Sequence, residues 1–379
     1  MKITIVTETF PPEINGVAMT LGRIVEGLRR RRHEVTVAVP ARRDRTPGTH
    51  PASDLVSLPG MRIPRYPELR LGFPAKGPLI RRWRDDRPDI VHVATEGPLG
   101  WSATRAAHAL GIPLVTSYHT NFHRYGAYYG YGALQSGVLR WLRHIHGRSR
   151  CTFVPSEDLR TGLEQERFAN LRVLGRGVDT ACFSPDKRDF ALRREWGVDD
   201  DTPVALYVGR VAGEKNLPLT IRAWEAMRET APTMPLVIVG DGPERPRLER
   251  TRPEIRFAGM RRGEELARHY ASADVFPFAS TTETFGNVVT EAMASGLLVV
   301  AFDYAAPAKF IRDGLNGFLA PFDDDEAYLA AAHRAAAVRP VWPALRAAAR
   351  DAVLSYSWDS ILDNYESTLT EVLTPAEAS

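Results

Sequence analysis

The sequence predicts an α/β protein made of two parallel-sheet, Rossmann-like domains. Three observations carry that expectation. An apolar run at Lys2 to Thr7 leads through a Pro- and Gly-bearing loop into an amphipathic helix and a second apolar run at Val35 to Val39, the β-loop-α-β order that opens a parallel sheet. The same order starts afresh at Val204 to Val208. The 379 residues suffice for two domains at about 100–200 residues each.

Composition narrows the class. Hydrophobic residues at 44% and charged residues at 25% are ordinary for a water-soluble globular protein. No apolar run approaches the ~18–20 residues of a membrane span. The start, MKITIVTETFPP, reads as a first strand and not as a signal peptide, so the expected location is the cytoplasm, with a peripheral place on the inner face of the plasma membrane in view. Cys151 and Cys182 are too few for a disulfide framework or a cysteine zinc site. Charge is uneven. Residues 1–180 carry 27 Lys+Arg against 16 Asp+Glu, and the remainder 22 against 30. A basic first half fits an anionic membrane surface or another acidic acceptor; it equally fits arginine-decorated solvated helices. No nucleic-acid partner is expected.

In the first half, Val17, Leu21, Ile24, Val25 and Leu28 share one face of a helix over 17–32. The four arginines 29–32 end it, where the helix dipole favours cations. Residues 41–75, rich in Pro, Arg and Gly, read as one long irregular connection. Strands follow at Asp89 to Val93, Pro113 to Ser117, Thr152 to Pro155 and Leu171 to Leu174, with helices at 80–84, 101–110, 134–146 and 163–168. The aromatic, glycine-rich Tyr125 to Tyr131 reads as a surface loop suited to an acceptor or a membrane interface. Asn15-Gly16 sits after the first strand, where open α/β sheets bind ligands; alone, Asn-Gly is any turn. His119 ends the strand 113–117, and a lone histidine there is as readily structural.

A linker starts at Gly175-Arg176-Gly177-Val178-Asp179 and runs to about 202. The second half has strands at 204–208, 236–239, 255–257, 274–276, 298–302 and 317–319 and helices at 218–228, 264–271, 327–337 and 358–372. Arg210 and Lys215 follow its first strand. Two cations there, one a planar fork and one a point charge, suit a diphosphate. The acidic runs Asp199–Asp201 and Asp323–Asp325 read as solvated turns, and no metal site is expected.

The stretch 276–296 holds the densest chemistry. A strand end gives way to a turn with Glu283, then Phe285-Gly286, then a helix start at Asn287, with Glu291 eight positions after Glu283. A helix start offers unpaired N–H groups to an anion, and a carboxylate accepts two hydroxyl donors at once, as a sugar presents them. Taken singly, Glu283 and Glu291 are ordinary loop and helix acids.

Together these pieces resemble the retaining glycosyltransferases of GT-B type, family 4, over essentially the whole chain. The resemblance rests on Gly16, Ser117-Tyr118-His119-Thr120, Gly177-Val178-Asp179, Gly209-Arg210 with Lys215, Gly240-Asp241-Gly242-Pro243-Glu244, and Glu283-Thr284-Phe285-Gly286 with Glu291. The segments TETFPPEINGVAMTL and VTSYHTNF look most like bacterial GDP-mannose-dependent α-mannosyltransferases, and are also similar to the sulfoquinovosyl-diacylglycerol synthase branch.

The resemblance implies two Rossmann-like domains facing a cleft, at 1–180 and 200–355, with a terminal helix at about 356–373 returning to the first. It implies a nucleotide-sugar donor, a lipid-linked or sugar acceptor, and no cofactor or metal. Arg210 and Lys215 would hold the diphosphate and Glu291 the ribose hydroxyls. Glu283 would hold the donor sugar, with Phe285, Gly286 and Asn287 lining its pocket. Gly16 would admit the phosphates, and His119 would lie beside the sugar. The implied reaction is front-face transfer with retention, in which Glu283 is no nucleophile. The expected donor is GDP-mannose, with Glu264 as the acid available to guanine. The alternatives are a UDP-sugar donor (glucosyl, galactosyl or sulfoquinovosyl transfer), a GT-B epimerase or phosphorylase, and a non-catalytic sugar-binding protein.

Overall fold

A computed structural model describes residues 1–13, 15–42, 54–63, 66–119 and 135–374. The Tyr125 to Tyr131 loop and residues 120–123 of the SYHTNFH segment lie outside the described residues. The chain forms two units, one of Met1–Arg176 with Trp358–Ser379, the other of Gly177–Ser357.

In the first unit the elements run β1 (Lys2–Val6), α1 (Gly16–Arg30), β2 (Glu34–Pro40), β3 (Leu55–Leu58), β4 (Gly60–Ile63), β5 (Tyr66–Gly72), α2 (Lys76–Asp85), β6 (Ile90–Val93), α3 (Pro98–Leu110), β7 (Leu114–Ser117), α4 (Gln135–His146), β8 (Cys151–Val154), α5 (Glu157–Gln165) and β9 (Leu171–Val173). Its parallel sheet has the order β3-β2-β1-β6-β7-β8-β9 among the described residues. Ile5 pairs with Val37 on one side and His92 on the other. Strands covered on both faces read as continuous apolar runs, and Ile3, Ile5 and Val6 are fully buried.

The 41–75 segment departs from expectation. It contains β3, which extends the sheet, and the antiparallel pair β4–β5. Pro59, Pro64, Pro67 and Pro74 masked these short strands in the sequence, because proline is tolerated in edge strands and hairpins while reading as loop.

The terminal helix, Trp358–Leu373, belongs to the first unit. Ile361, Leu362, Tyr365 and Leu369 are buried in the same core as Leu21, Ile24 and Leu28 of α1. A Cβ on Gly27 would stand 2.2 Å from Leu362 Cδ1, so glycine is what permits this close approach. Arg31 pairs with Asp363 at 2.6 Å and also with Glu366. The arginine run at the end of α1 thus has a structural employer in the terminal helix.

The second unit runs α6 (Phe190–Glu195), β10 (Ala205–Val208), α7 (Leu217–Arg228), β11 (Leu236–Val239), α8 (Arg245–Thr251), β12 (Arg256–Gly259), α9 (Gly263–Ser272), β13 (Val275–Phe278), α10 (Asn287–Ala294), β14 (Leu298–Phe302), α11 (Ala305–Phe310), β15 (Phe318–Ala320), α12 (Asp325–Ala337) and α13 (Trp342–Leu354). Its parallel sheet has the order β12-β11-β10-β13-β14-β15. It begins at Gly177, not near residue 200 as the linker-like composition of 180–202 led us to expect. Leu192 and Trp196 lie in its core. Arg193 is fully buried and donates to Asp274 at 3.3 Å and to the Ser272 and Thr202 carbonyls at 2.7 and 2.6 Å. Buried charge of this kind is retained because it is paired and hydrogen-bonded through both terminal nitrogens, and local sequence gives no sign of partners 79 and 81 positions away.

Candidate functional site

The second sheet grows outward from β10 through β11 to β12 in one direction and from β13 through β14 to β15 in the other. The loops after β10 and β13 therefore leave the same edge at the point where the order reverses, the usual ligand position in an open α/β sheet. Lys215 and Glu283, 68 residues apart, meet there, with Lys215 Nζ donating to Glu283 Oε1. Ser280 Oγ donates to the same oxygen at 2.9 Å. The Tyr304 hydroxyl accepts from the Glu283 N–H at 3.0 Å and donates to the Ser280 carbonyl at 2.6 Å. Backbone and carboxylate of Glu283 are thus both held by named partners.

Arg210 stands at the mouth of the same loop. Its carbonyl accepts from the Tyr207 hydroxyl at 3.1 Å. Its guanidinium, 42% exposed, donates to the buried Glu214 carboxylate at 3.3 Å. Burial, with Glu283 and then Glu214 nearby, raises the Tyr207 hydroxyl well above the ordinary tyrosine value, so it acts as a neutral donor.

Phe285 is buried, its ring edge-on to Phe310 and its carbonyl accepting from Ala306 N–H at 2.8 Å. Gly286 takes φ +94°, ψ 60° at the start of α10 and supplies no side-chain cap, leaving the first amides of that helix to other acceptors. Asn287 Oδ1 is buried with no hydrogen-bond partner among the described residues. One turn on, Glu291 accepts from the Tyr270 hydroxyl at 3.0 Å. Burial and the adjoining Glu291 raise that hydroxyl well above its usual value. Glu264 has another occupation: Lys187 donates to it at 2.8 Å.

In the first unit the strand order reverses between β1 and β6. The loop after β1 carries Asn15-Gly16. Asn15 Oδ1 accepts from the Val17 and Ala18 amides at 3.1 and 2.9 Å, an N-cap that uses part of the anion-binding capacity expected around Gly16. His119 follows β7, and Arg176 follows β9 as the last residue before the second unit. Arg176 Nη2 lies 3.4 Å from His119 Nδ1. A Cβ on Gly16 would lie 3.4 Å from Arg176 Nη1. Gly16, His119 and Arg176 thus form one group. Burial first, then Arg176, His92 and His146, lower the His119 pKa well below the usual value.

Within each unit the structure gathers the residues named from the sequence. It brings Lys215, Glu283 and Arg210, with Phe285, Gly286, Asn287 and Glu291, to one edge of the second sheet, and Gly16 and His119 to one edge of the first. Sequence reasoning missed Arg176, Glu214, Tyr270, Ser280 and Tyr304. Arg176 carried a readable signal, an arginine between two glycines directly after a strand. The two tyrosines carried none, because their partners are 21 positions away. Among the described residues no group of three or more His, Cys, Asp or Glu is placed to hold a metal ion, and no helix is long and apolar enough to cross a membrane.

Comparison with known proteins finds relatives over almost the whole chain. The profile described as Glycosyltransferase Family 4 matches residues 14–181, and that described as Glycosyl transferases group 1 matches residues 202–337. A GDP-mannose-dependent alpha-mannosyltransferase of Mycolicibacterium smegmatis is 35% identical over 97% of this chain and 98% of its own. An alpha-monoglucosyldiacylglycerol synthase of Acholeplasma laidlawii is 28% identical over 84% of each. Among solved structures, Anabaena Alr3699/HepE in complex with UDP superposes with a TM-score of 0.76 at 18% identity, covering 98% of this chain and 100% of that one. Two parallel-sheet α/β units, a paired cation and carboxylate at the reversal of the second sheet, and this similarity lead to one conclusion: the chain belongs to glycosyltransferase family 4 and is a glycosyltransferase of GT-B architecture.

Proposed function

We propose that the chain transfers an α-mannosyl group from GDP-mannose, with retention, to a lipid-linked or glycolipid acceptor. The observation that carries the reading is the Lys215–Glu283 pair at the sheet reversal, with Arg210 on the same loop. A nucleoside diphosphate is the ligand that would use both members. Its phosphates would draw Lys215 and Arg210, and Glu283 would then accept from sugar hydroxyls, a role for an acceptor-only group. Glu291, already oriented by Tyr270, is assigned the ribose hydroxyls. The amides at the start of α10 and Asn287 Oδ1 supply donors and an acceptor for sugar and phosphate. On the first unit, Gly16 and His119 are assigned a substrate-facing role of their own.

In the reaction, the bond from the anomeric carbon to the diphosphate oxygen breaks, and its electron pair stays on phosphate. The acceptor oxygen bonds to that carbon on the same face and passes its proton to the departing phosphate oxygen. Lys215 and Arg210 offset the charge that develops there, the kind of interaction most valuable in a transition state. No carboxylate nucleophile and no metal are invoked.

The mannose donor is supported by the 35% identical relative, whose name specifies GDP-mannose. The lipid acceptor, and with it an anionic membrane surface on the cytoplasmic side, is supported by the excess of basic residues in 1–180 and by the diacylglycerol glycolipid named for the second relative. A UDP-sugar is the second reading, favoured by one observation: Lys187 engages Glu264, so the acid expected for guanine is already paired. Thermal-shift titration with GDP and UDP, followed by turnover assays with GDP-mannose, UDP-glucose and UDP-galactose, tests both. Stabilisation by GDP and turnover of GDP-mannose alone is the expected result. Stabilisation by UDP alone overturns the mannose assignment, and stabilisation by neither overturns the nucleotide-sugar site. Pelleting with anionic liposomes at low salt tests the membrane part, and no binding there removes it.

A further inference from the structure

We infer that Arg176 is a positioning residue: its guanidinium, donating to Nδ1 of His119, fixes the imidazole as the neutral tautomer with its proton on Nε2 and so presents an N–H donor to the ligand. The argument is one of hydrogen-bond parity. Arginine has five N–H donors and no acceptor, and its charge is permanent. Nδ1 at 3.4 Å from Nη2 must therefore be the lone-pair nitrogen. A proton on Nδ1 would set two donors against each other, and an imidazolium would set two cations in contact. Only Nε2 is left to carry the proton. That nitrogen is buried and has no partner among the described residues, although nearly all buried polar groups find one. It is the group on which a ligand hydroxyl or phosphate oxygen would close.

The other titratable neighbours act in the same sense. His92 is buried and bonded on both nitrogens, to Ser117 Oγ at 2.7 Å and to the Tyr365 hydroxyl at 2.8 Å. His146 is bonded to Thr116 Oγ1 at 2.8 Å and lies 3.4 Å from Glu96. Arg176 and the two histidines all disfavour a charged His119, and burial disfavours it most. The same guanidinium lies against Gly16, so one buried arginine sets the state of one proposed substrate-facing residue and borders the other. This rests on the proposed role of His119 only for what its donor serves; the tautomer itself is a property of the protein.

The test has two arms. Long-range ¹H–¹⁵N spectra of the full chain with labelled histidine report each tautomer directly, and the His119 signal among ten histidines is found by its loss in H119Q. The expected result is a neutral Nε2–H ring from pH 5.5 to 8 in the wild type. In R176M, which removes donor and charge, Nδ1 loses its partner and the ring is expected to change tautomer or to populate both, while burial still holds its pKa below the ordinary value of about 6.5. R176K, which restores a charged donor, should return the wild-type spectrum. In turnover assays with GDP-mannose, R176M should lose about tenfold in kcat, the worth of one hydrogen bond, and R176K should recover most of it. A wild-type ring protonated on Nδ1, or one titrating near 6.5, overturns the inference, as does an R176M tautomer spectrum identical to the wild type. If R176M does not fold, the wild-type spectrum alone still decides. Failure of wild-type turnover with GDP-mannose would count against the donor assignment and leave the spectra to judge Arg176.

Discussion

The two sheets hold titratable groups at their edges in different ways. At the second, opposite charges are already matched: Lys215 with Glu283, and Arg210 with Glu214. At the first, two buried histidines are kept neutral beside charged neighbours, the buried Arg176 guanidinium on His119 and the Arg42–Glu13 pair in the loop after β1. His92 is pushed down to about 3 by burial, and His119 lies well below its usual value. A matched array stays poised for an ionic ligand that can exchange for either partner, and it costs little to hold while the ligand is away. A neutral imidazole supplies direction without a charge of its own. The difference is one of means: charge offset by charge in the second unit, and ionisation suppressed by burial for the histidines of the first.

The largest expected effect comes from breaking the matched array. Lys215→Ala and Glu283→Ala should each reduce transfer by about 10²–10³-fold, some 3–4 kcal/mol of aimed stabilisation, with circular dichroism unchanged. A near-normal initial rate in either variant sinks the assignment of that residue.

Acid should act next, on the neutral histidines. A histidine whose folded pKa is depressed binds fewer protons folded than unfolded, so stability is full above the unfolded value of about 6.5 and is lost as pH falls toward the folded value. For His92 that window runs from about 6.5 down to about 3, and each unit of pH within it costs about 1.4 kcal/mol per histidine. Between pH 6.5 and 5, hydrogen exchange should show the first unit losing about 2 kcal/mol through His92, with His119 adding in the same direction. In the second unit His269 is also lowered by burial, while its bond to the Glu265 carbonyl works the other way, so the loss there should be smaller. Equal losses in both units would erase the contrast.

The smallest effect sharpens the nucleotide end. Glu291→Gln keeps an acceptor for Tyr270 but removes the charge, and should weaken GDP binding about five- to tenfold by calorimetry, about 1 kcal/mol as for one hydrogen bond. An unchanged affinity would take the ribose away from Glu291.

Much of this was open to reading before any coordinates. Apolar runs and helical spacing located β1, α1, β6, β7, β10, β11 and β14 because burial on both faces leaves an uninterrupted pattern. The short, proline-punctuated strands at 55–72 and the helix at 342–354 were missed, since neither shows a long period of its own. The terminal helix was visible as a helix. Its seat on α1 depends on Gly27, whose meaning appears only when Leu362 stands 2.2 Å from where a Cβ would be.

The candidate site divides along the same line. Residue types at strand ends named Gly16, His119, Arg210, Lys215, Glu283 and Glu291, because a sheet edge and a helix start constrain chemistry locally. Who touches whom was decided by strand order, a long-range property that places β10 beside β13 and carries Lys215 to Glu283 across 68 residues. The sequence alone determined which groups were available. The tertiary structure decided their partners, and for His119 its neutral state, because only folding brings Arg176 to His119 and Tyr304 to the backbone of Glu283.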